Sequence, residues 1–525
     1  MSQLMLRLVL LLLLLLHPSF PRANLSCSSL QGVTTRPGPS CLLPFRLEGR
    51  LYITCTTSFQ PSKHSLPRHL LGRPLCPTSS LAPLTLEAPS DPSFWAPCSS
   101  SCLLTDYRTN QQLVEDLESL ASLYPGLASL SVLGPSLEGL PLTALTLGTR
   151  RSLAPRVRLY SGLAGDQTTG RELLAHTAAQ LLHSYGKDPR ITAILDTTTI
   201  SLLPAANPDG FARATKGSCS GARSREGERN GAAVSLETDF PTAEDYARFQ
   251  ADPDYDPYQG RQPETQALMA WSVDSPWMLG LHLQDGAVAV TYPPHQGGSE
   301  QVQEQELRHL GEVVAASTDL DRAGRCYYRW QEGLASGLEW QQKFEGKRGA
   351  GRGCVEDFSL LFTDSLELRL AVSCCKYPVR FSLVREWETH QETILAFLEE
   401  AQRGVRGVVY LPDSSPAPGV DLVFWGPEGR RSARNTTSSS EGQFWRYLLP
   451  ADRHYTLQGL WEDCQGSGRR FASPQLQVVV TEKRPAVTRV LVLRHVGWCA
   501  GVEVPESFRD VVDSEGIFRR GDFDI

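Results

Sequence analysis

The sequence predicts an α/β fold: a mixed β-sheet covered by helices, followed by a small β-sandwich and preceded by a disulfide-stapled module. Three observations predict it. Between Asp106 and Gln402, amphipathic helical stretches alternate with short, almost wholly apolar runs, the pattern of a sheet buried under helices. After Arg403 the apolar period falls to two, with turn residues between the runs. Before Asp106, six cysteines lie between Cys27 and Cys102 in a stretch rich in Ser, Pro and Leu.

The elements follow in chain order. Arg7 precedes a leucine-rich run from Leu8 to Leu16, and small or polar residues reach Ala23. That apolar core is about half of what spans a bilayer, so residues 1–23 read as a signal peptide. Residues 24–105 show neither a long helical period nor sustained alternation, and a piece of that size needs disulfides to hold its shape. Thr109 or Asn110 caps a helix carrying Leu113, Leu117, Leu120 and Tyr124 on one stripe, which Pro125-Gly126 stops. A second helix, Gly170 to Tyr185, sets Leu173, Leu174, Ala178, Leu181 and Leu182 on one face. The runs Arg156–Tyr160, Ile191–Leu195, Thr199–Leu203 and Met278–Leu283 read as buried strands, and a long helix from Trp387 to Gln402 closes the domain at 106–402. Residues 403–496 hold five short strands, Val405–Leu411, Val420–Trp425, His454–Leu460, Leu476–Val480 and Thr488–Leu493. Residues 497–525 form a polar tail.

Composition narrows the function classes. With 525 residues, 41% apolar and 21% charged, the chain is too long for one core and is not disordered. Its 51 Lys and Arg are outnumbered by 58 Asp and Glu and form no long basic block, which argues against nucleic acid as a partner. Thirteen cysteines are the usage of an oxidising compartment. No segment after the leader is apolar for long enough to cross a membrane, and the chain ends polar, so a secreted protein is expected. Asn24-Leu25-Ser26 and Asn435-Thr436-Thr437 then become glycan acceptors at Asn24 and Asn435.

Two resemblances add to this. Cys41-Leu42-Leu43-Pro44-Phe45-Arg46-Leu47, with Cys55 and Gly72-Arg73-Pro74-Leu75-Cys76, resembles a fibronectin type II domain, with Leu75 where that family usually has Trp. The resemblance implies gelatin or collagen as a partner, through the aromatics Phe45 and Tyr52. Asp188-Pro189-Arg190, Leu202 to Phe211 (Leu-Leu-Pro-Ala-Ala-Asn-Pro-Asp-Gly-Phe), Leu370 to Pro378 and Gly442 to Arg446 resemble the regulatory, or N/E, subgroup of the metallocarboxypeptidases. These are zinc exopeptidases that remove a C-terminal basic residue and carry a transthyretin-like sandwich behind the catalytic domain. About three quarters of the chain is covered, in the right order.

What the resemblance implies about chemistry is tested position by position. The family needs two zinc ligands from an H-x-x-E motif and a later His, leaving an open coordination position for water. Here those positions are Ala164, Gln167 and Gln284. The general-base position is Ala371. The substrate-clamping positions are Glu228, Glu237 and Thr238, and the tyrosine loop reads Asp357-Phe358-Ser359-Leu360. A peptide carboxylate ~4 Å from an unpaired Glu meets ~4 kcal/mol of repulsion at an effective dielectric near 20. The expectation is therefore a secreted pseudoenzyme without zinc, acting by binding; the alternative is a low-activity zinc carboxypeptidase with substituted ligands. Its pocket is either closed by packing and salt bridges or open to a basic ligand. A shifted cation site from His282 and Gln284 with Asp166, Glu172 and Glu367 is weighed against the plainer expectation that His282 is a core residue, Glu172 faces outward and Asp166 caps a helix turn. Cys326, Cys354 and Cys219 remain open as partners for the Cys374-Cys375 pair, and Cys464 is expected to bond Cys499. Arg520-Gly521-Asp522 matches an integrin-read tripeptide, with a solvated tail as the expected reading.

Overall fold

The computed structural model describes residues 107–149, 153–217, 219, 227–292, 302–318, 353–363, 365–380, 382–426, 429, 431, 436–450, 454–464, 466–481 and 486–499, with backbone alone at 45–47, 50–52, 75–77, 95–97, 302–304 and 333–336. The expected leader, the glycan acceptors Asn24 and Asn435, Cys326 and Arg520-Gly521-Asp522 lie outside the described residues, as does most of the cysteine-rich module. Within that module four short strands pair as two antiparallel ribbons, β1 (Phe45–Leu47) with β2 (Arg50–Tyr52) and β3 (Leu75–Pro77) with β4 (Trp95–Pro97). Phe45 and Tyr52 are register partners in the first.

The next elements are α1 (Asn110–Leu123), β5 (Ala128–Pro135), β6 (Pro141–Leu147), β7 (Arg156–Ser161), α2 (Thr169–Ser184), α3 (Pro189–Thr197), β8 (Thr199–Leu203) and α4 (Pro208–Arg213). They are followed by α5 (Ala243–Ala251), α6 (Pro263–Val273), β9 (Trp277–Asp285), β10 (Ala287–Tyr292), α7 (Val302–Ser317), β11 (Gly333–Ser336), α8 (Val355–Phe362), β12 (Leu366–Ser373) and α9 (Ser382–Glu400). Eight described strands form one mixed sheet in the order β11-β10-β12-β9-β7-β8-β6-β5, with β7, β8, β9 and β12 mutually parallel along its centre, β12–β10, β8–β6 and β6–β5 antiparallel, and the edge pair β10–β11 parallel. Helices α1, α2, α7 and α9 cover one face, against Val157, Leu159, Leu281, Leu283, Leu368 and Leu370. Helices α6 and α8 lie over the other, where Leu142, Ala144, Tyr160, Leu203, Trp271 and Phe358 pack, and α5 rests on α8 through Tyr246 and Phe249 against Phe362.

One expected strand is a helix. Ile191–Leu195 lies inside α3, because the Asp188 carboxylate accepts from the N–H groups of Arg190 (2.8 Å) and Ile191 (3.1 Å), and Pro189 sits in the first turn. Ile191, Ile194 and Leu195 then fall on one buried helical face. A five-residue apolar run carries both periods, so the cap settles it.

Beyond α9 the chain builds a second unit from β13 (Val405–Tyr410), β14 (Asp421–Trp425), β15 (Thr436–Thr437), β16 (Gln443–Arg446), β17 (Tyr455–Asp463), β18 (Arg469–Ala472), β19 (Leu476–Val478), β20 (Val487–Val492) and β21 (Arg494–Trp498). One sheet orders β16-β13-β20 and the other β15-β14-β17-β18-β21, with β19 on β17, around a core containing Val409, Leu422, Phe424, Phe444, Leu457 and Leu491. Cys464 is bonded to Cys499, as expected, and Cys219 to Cys375. Cys374 is also disulfide-bonded, while Cys354 is a free thiol.

Candidate functional site

The sequence-predicted positions come together at the C-terminal ends of the central parallel strands, where open α/β sheets place their sites. The loop leaving β7 carries Ala164, Asp166 and Gln167, all buried. Gln284 at the end of β9 is the register partner of Ala371 in β12. Glu237 and Thr238 sit in a single turn of 3₁₀ helix, Leu236–Thr238. Glu228 follows Gly227 in a loop whose backbone meets the β7 loop, through the Gly165 N–H donating to the Glu228 carbonyl (3.3 Å). The fold thus brings these residues of the β7 loop, the end of β9, β12 and the 227–238 segment together.

The polar groups of this site are bonded to one another. The Gln167 side-chain amide donates to Glu237 Oε1 at 3.0 Å, and its carbonyl accepts from the Asp285 N–H at 3.4 Å. Asp285 Oδ2 in turn accepts from the Thr169 N–H (2.7 Å) at the N-terminus of α2, a position that favours a carboxylate. Contrary to expectation, Asp166 does not cap the helix turn. It takes the Lys376 ammonium at 3.1 Å, because Lys376 also lies 3.6 Å from Glu228 and only a cation between these acids offsets their repulsion. Burial works against the Lys376 charge, but Asp166, Glu237 and Glu228 outweigh it and hold its pKa above the ordinary lysine value. Burial raises the Asp166 carboxyl, with Lys376 opposing, and pushes Asp285 well above the usual carboxylate range despite the Thr169 contact.

Beneath this layer lies a second polar set that the motif reading missed. Arg158 donates from Nε to Glu367 Oε1 (2.8 Å) and from Nη2 to Ser359 Oγ (2.6 Å), with both members of the ion pair fully buried. Tyr160 OH donates to Glu367 Oε2 at 3.2 Å. Gly280 makes room for that carboxylate: a Cβ there would stand 2.0 Å from Glu367 Oε2. His282 stacks on Tyr160 at 5.0 Å between ring centroids and donates from Nδ1 to Glu356 Oε1 at 2.9 Å, while Arg369 Nε donates to the same oxygen at 2.8 Å. Burial opposes ionisation of Glu356, but Arg369 and His282 hold it well below the ordinary carboxylate value. The signal was present in period two. In Leu366-Glu367-Leu368-Arg369-Leu370 and Arg156-Val157-Arg158-Leu159-Tyr160 the charges alternate with core residues, so they share the opposite face, which is buried at Arg158, Tyr160 and Glu367 and partly buried at Arg156 and Arg369.

The shifted cation set therefore does not assemble: His282 belongs to Glu356 and Glu367 to Arg158. Glu172, expected to face outward, is fully buried against the Arg108 guanidinium, because α1 and its lead-in cover that side of α2. Among the described residues no three His, Cys, Asp or Glu side chains form a metal-ligand group. Ala371 offers only a methyl group to the pocket, and the tyrosine-loop stretch Asp357 to Leu360 lies in α8.

A family model described as zinc carboxypeptidase matches residues 113–393. Carboxypeptidase D of Drosophila melanogaster is 29% identical over 401 residues, covering 73% of this chain and 26% of that protein. Carboxypeptidase M of Mus musculus is 27% identical over 363 residues, covering 66% of this chain and 76% of its own. The carboxypeptidase N catalytic chain of Rattus norvegicus is 26% identical over 373 residues, covering 66% and 79%. This chain thus spans about a quarter of carboxypeptidase D and about three quarters of the other two. Among solved structures, thrombin activatable fibrinolysis inhibitor matches with a TM-score of 0.44 at 14% identity, covering 58% of this chain and 76% of that one. With more than half its length matched by the family model and the mixed sheet in place, the chain belongs to the zinc carboxypeptidase family.

Proposed function

We propose that this chain is a secreted, non-catalytic member of its family, a pseudoenzyme that works by binding. The observation that carries the reading is the engagement of Gln167, whose amide is taken at both ends by Glu237 and the Asp285 N–H. The zinc that the family implies does not fit such a donor set: Ala164 has no lone pair, Gln167 and Gln284 are neutral amides, and the Lys376 ammonium already stands among the acids. With Ala371 at the general-base position, no carboxylate is present there to take a proton from water.

Elemental analysis of the protein collected from culture medium, with turnover assays on peptides ending in Arg or Lys, tests this. No stoichiometric metal and no turnover are expected, even with added Zn²⁺. Tightly held zinc with slow release of a basic residue favours the low-activity carboxypeptidase instead. Loss of mass on glycosidase treatment checks the secretory route through Asn24 and Asn435. The partner we propose is collagen or gelatin, bound through Phe45 and Tyr52; a gelatin column that passes the whole chain refutes that part alone. No described helix is long and apolar enough to cross a membrane.

A further inference from the structure

The α/β unit and the β unit meet through a set of buried charged groups. Glu306 of α7 is buried and faces the Arg446 guanidinium of β16, Oε2 to Nη2 3.5 Å, while its Oε1 has no hydrogen-bond partner. Arg446 also lies over the Phe424 ring of the β unit, 5.8 Å to the centroid. One turn along α7, His309 Nε2 stands 3.6 Å from Glu400 Oε2 at the end of α9. Glu400 accepts from Tyr447 OH at 2.6 Å and pairs with Arg403 at 2.8 Å. The phenols of Tyr447 and Tyr455 both feel the Glu306 charge. Trp445 Nε1 donates across the same joint to the Leu153 carbonyl at 3.0 Å.

We propose that this joint tightens in acid, with the Glu306 carboxyl as its proton-binding sensor. A carboxylate sealed between two units with one oxygen unpartnered is better hosted neutral than charged. Separation of the units returns it to water. Burial pushes Glu306 up to about 7, Arg446 offsetting only part of the effect. A solvated Glu titrates near ~4.3, so between those values the docked arrangement holds a proton that the open one releases. A raised carboxyl contributes most to docking below its solvated value and loses that contribution as pH rises through about 7. Glu400 is shifted the other way: burial raises it, but His309, Tyr447 and Arg403 outweigh burial and leave it below the ordinary value. Its contribution to docking is therefore lost only in stronger acid and does not oppose the effect above about pH 5.

The test is hydrogen exchange of the full chain, read by mass spectrometry on peptides covering β16 and α7 and corrected for intrinsic exchange rates. From about pH 8 to about pH 5 the opening equilibrium of the joint is expected to fall by tens-fold. Glu306→Gln keeps the shape without the titration and should abolish that dependence, while His309→Gln should retain it. Protection that is unchanged or weakened in acid overturns the proposal, as does a Glu306→Gln protein with the wild-type response. If that variant does not fold, infrared difference spectra of the wild-type chain read the same group. A protonated-carboxyl stretch must grow in near neutral pH, and its absence is equally decisive.

Discussion

At the scale of single residues, Lys376 shows how a charge is placed by the fold. It stands in a motif legible from sequence, yet the acid it pairs with, Asp166, lies 210 positions away. Replacing it by Met keeps much of the volume and leaves Asp166 and Glu228 facing each other in a partly buried pocket. We expect Lys376→Met to cost about 1–3 kcal/mol near neutral pH, the penalty of uncompensated polar burial. The deficit should shrink as pH falls and Asp166 protonates, because burial already raises its carboxyl and the variant removes the ammonium that opposes this. Urea unfolding at neutral and acidic pH checks this; an equal deficit at both would contradict the role assigned to the ammonium.

At the scale of elements, α2 departs most from its amphipathic pattern. All its residues are buried, including Arg171, Glu172, His176 and His183. The apolar stripe was readable; the burial of the polar face was not, because it depends on α1 and α9 packing over it from distant parts of the chain. Helix α9 contributes His390, which is fully buried with Nε2 donating to the Val372 carbonyl at 2.8 Å. Burial pushes it down to about 4, with the Val372 contact opposing. The unfolded chain binds a proton here at about 6.5, so stability from the neutral imidazole is lost as pH falls from there toward about 4. The loss approaches about 3 kcal/mol. His390→Gln, measured by thermal unfolding across that window, should flatten this part of the profile. An unchanged slope would assign the acid sensitivity elsewhere.

At the scale of the whole molecule, the Cys219–Cys375 bond closes a loop of 156 residues and fastens the segment after α4 to the rim of the site. Sequence left three partners open for the Cys374-Cys375 pair, since spacing alone does not restrict connectivity. Replacing Cys219 and Cys375 together by Ser should lower stability by about 2–5 kcal/mol, the range for long-loop disulfides. Because the bond adjoins Lys376, the loss should be accompanied by faster amide exchange in the 164–168 loop. Calorimetry with peptide-resolved exchange distinguishes this from a bond that only restrains the unfolded chain.

Sequence alone established the fold class, the helices over 110–123 and 169–184, the strands at 156–161, 199–203 and 277–285, and the alternating strands after Arg403, while Ile191–Leu195 went to a helix. These follow from period, caps and motif spacing, which are local properties. Folding alone assigned partners to the charges: Arg158 to Glu367, 209 residues apart, and Glu306 to Arg446 across two units. The reason is desolvation. A buried charge is tolerated only where an opposite group meets it within a few ångströms, and that distance is set by how remote segments pack.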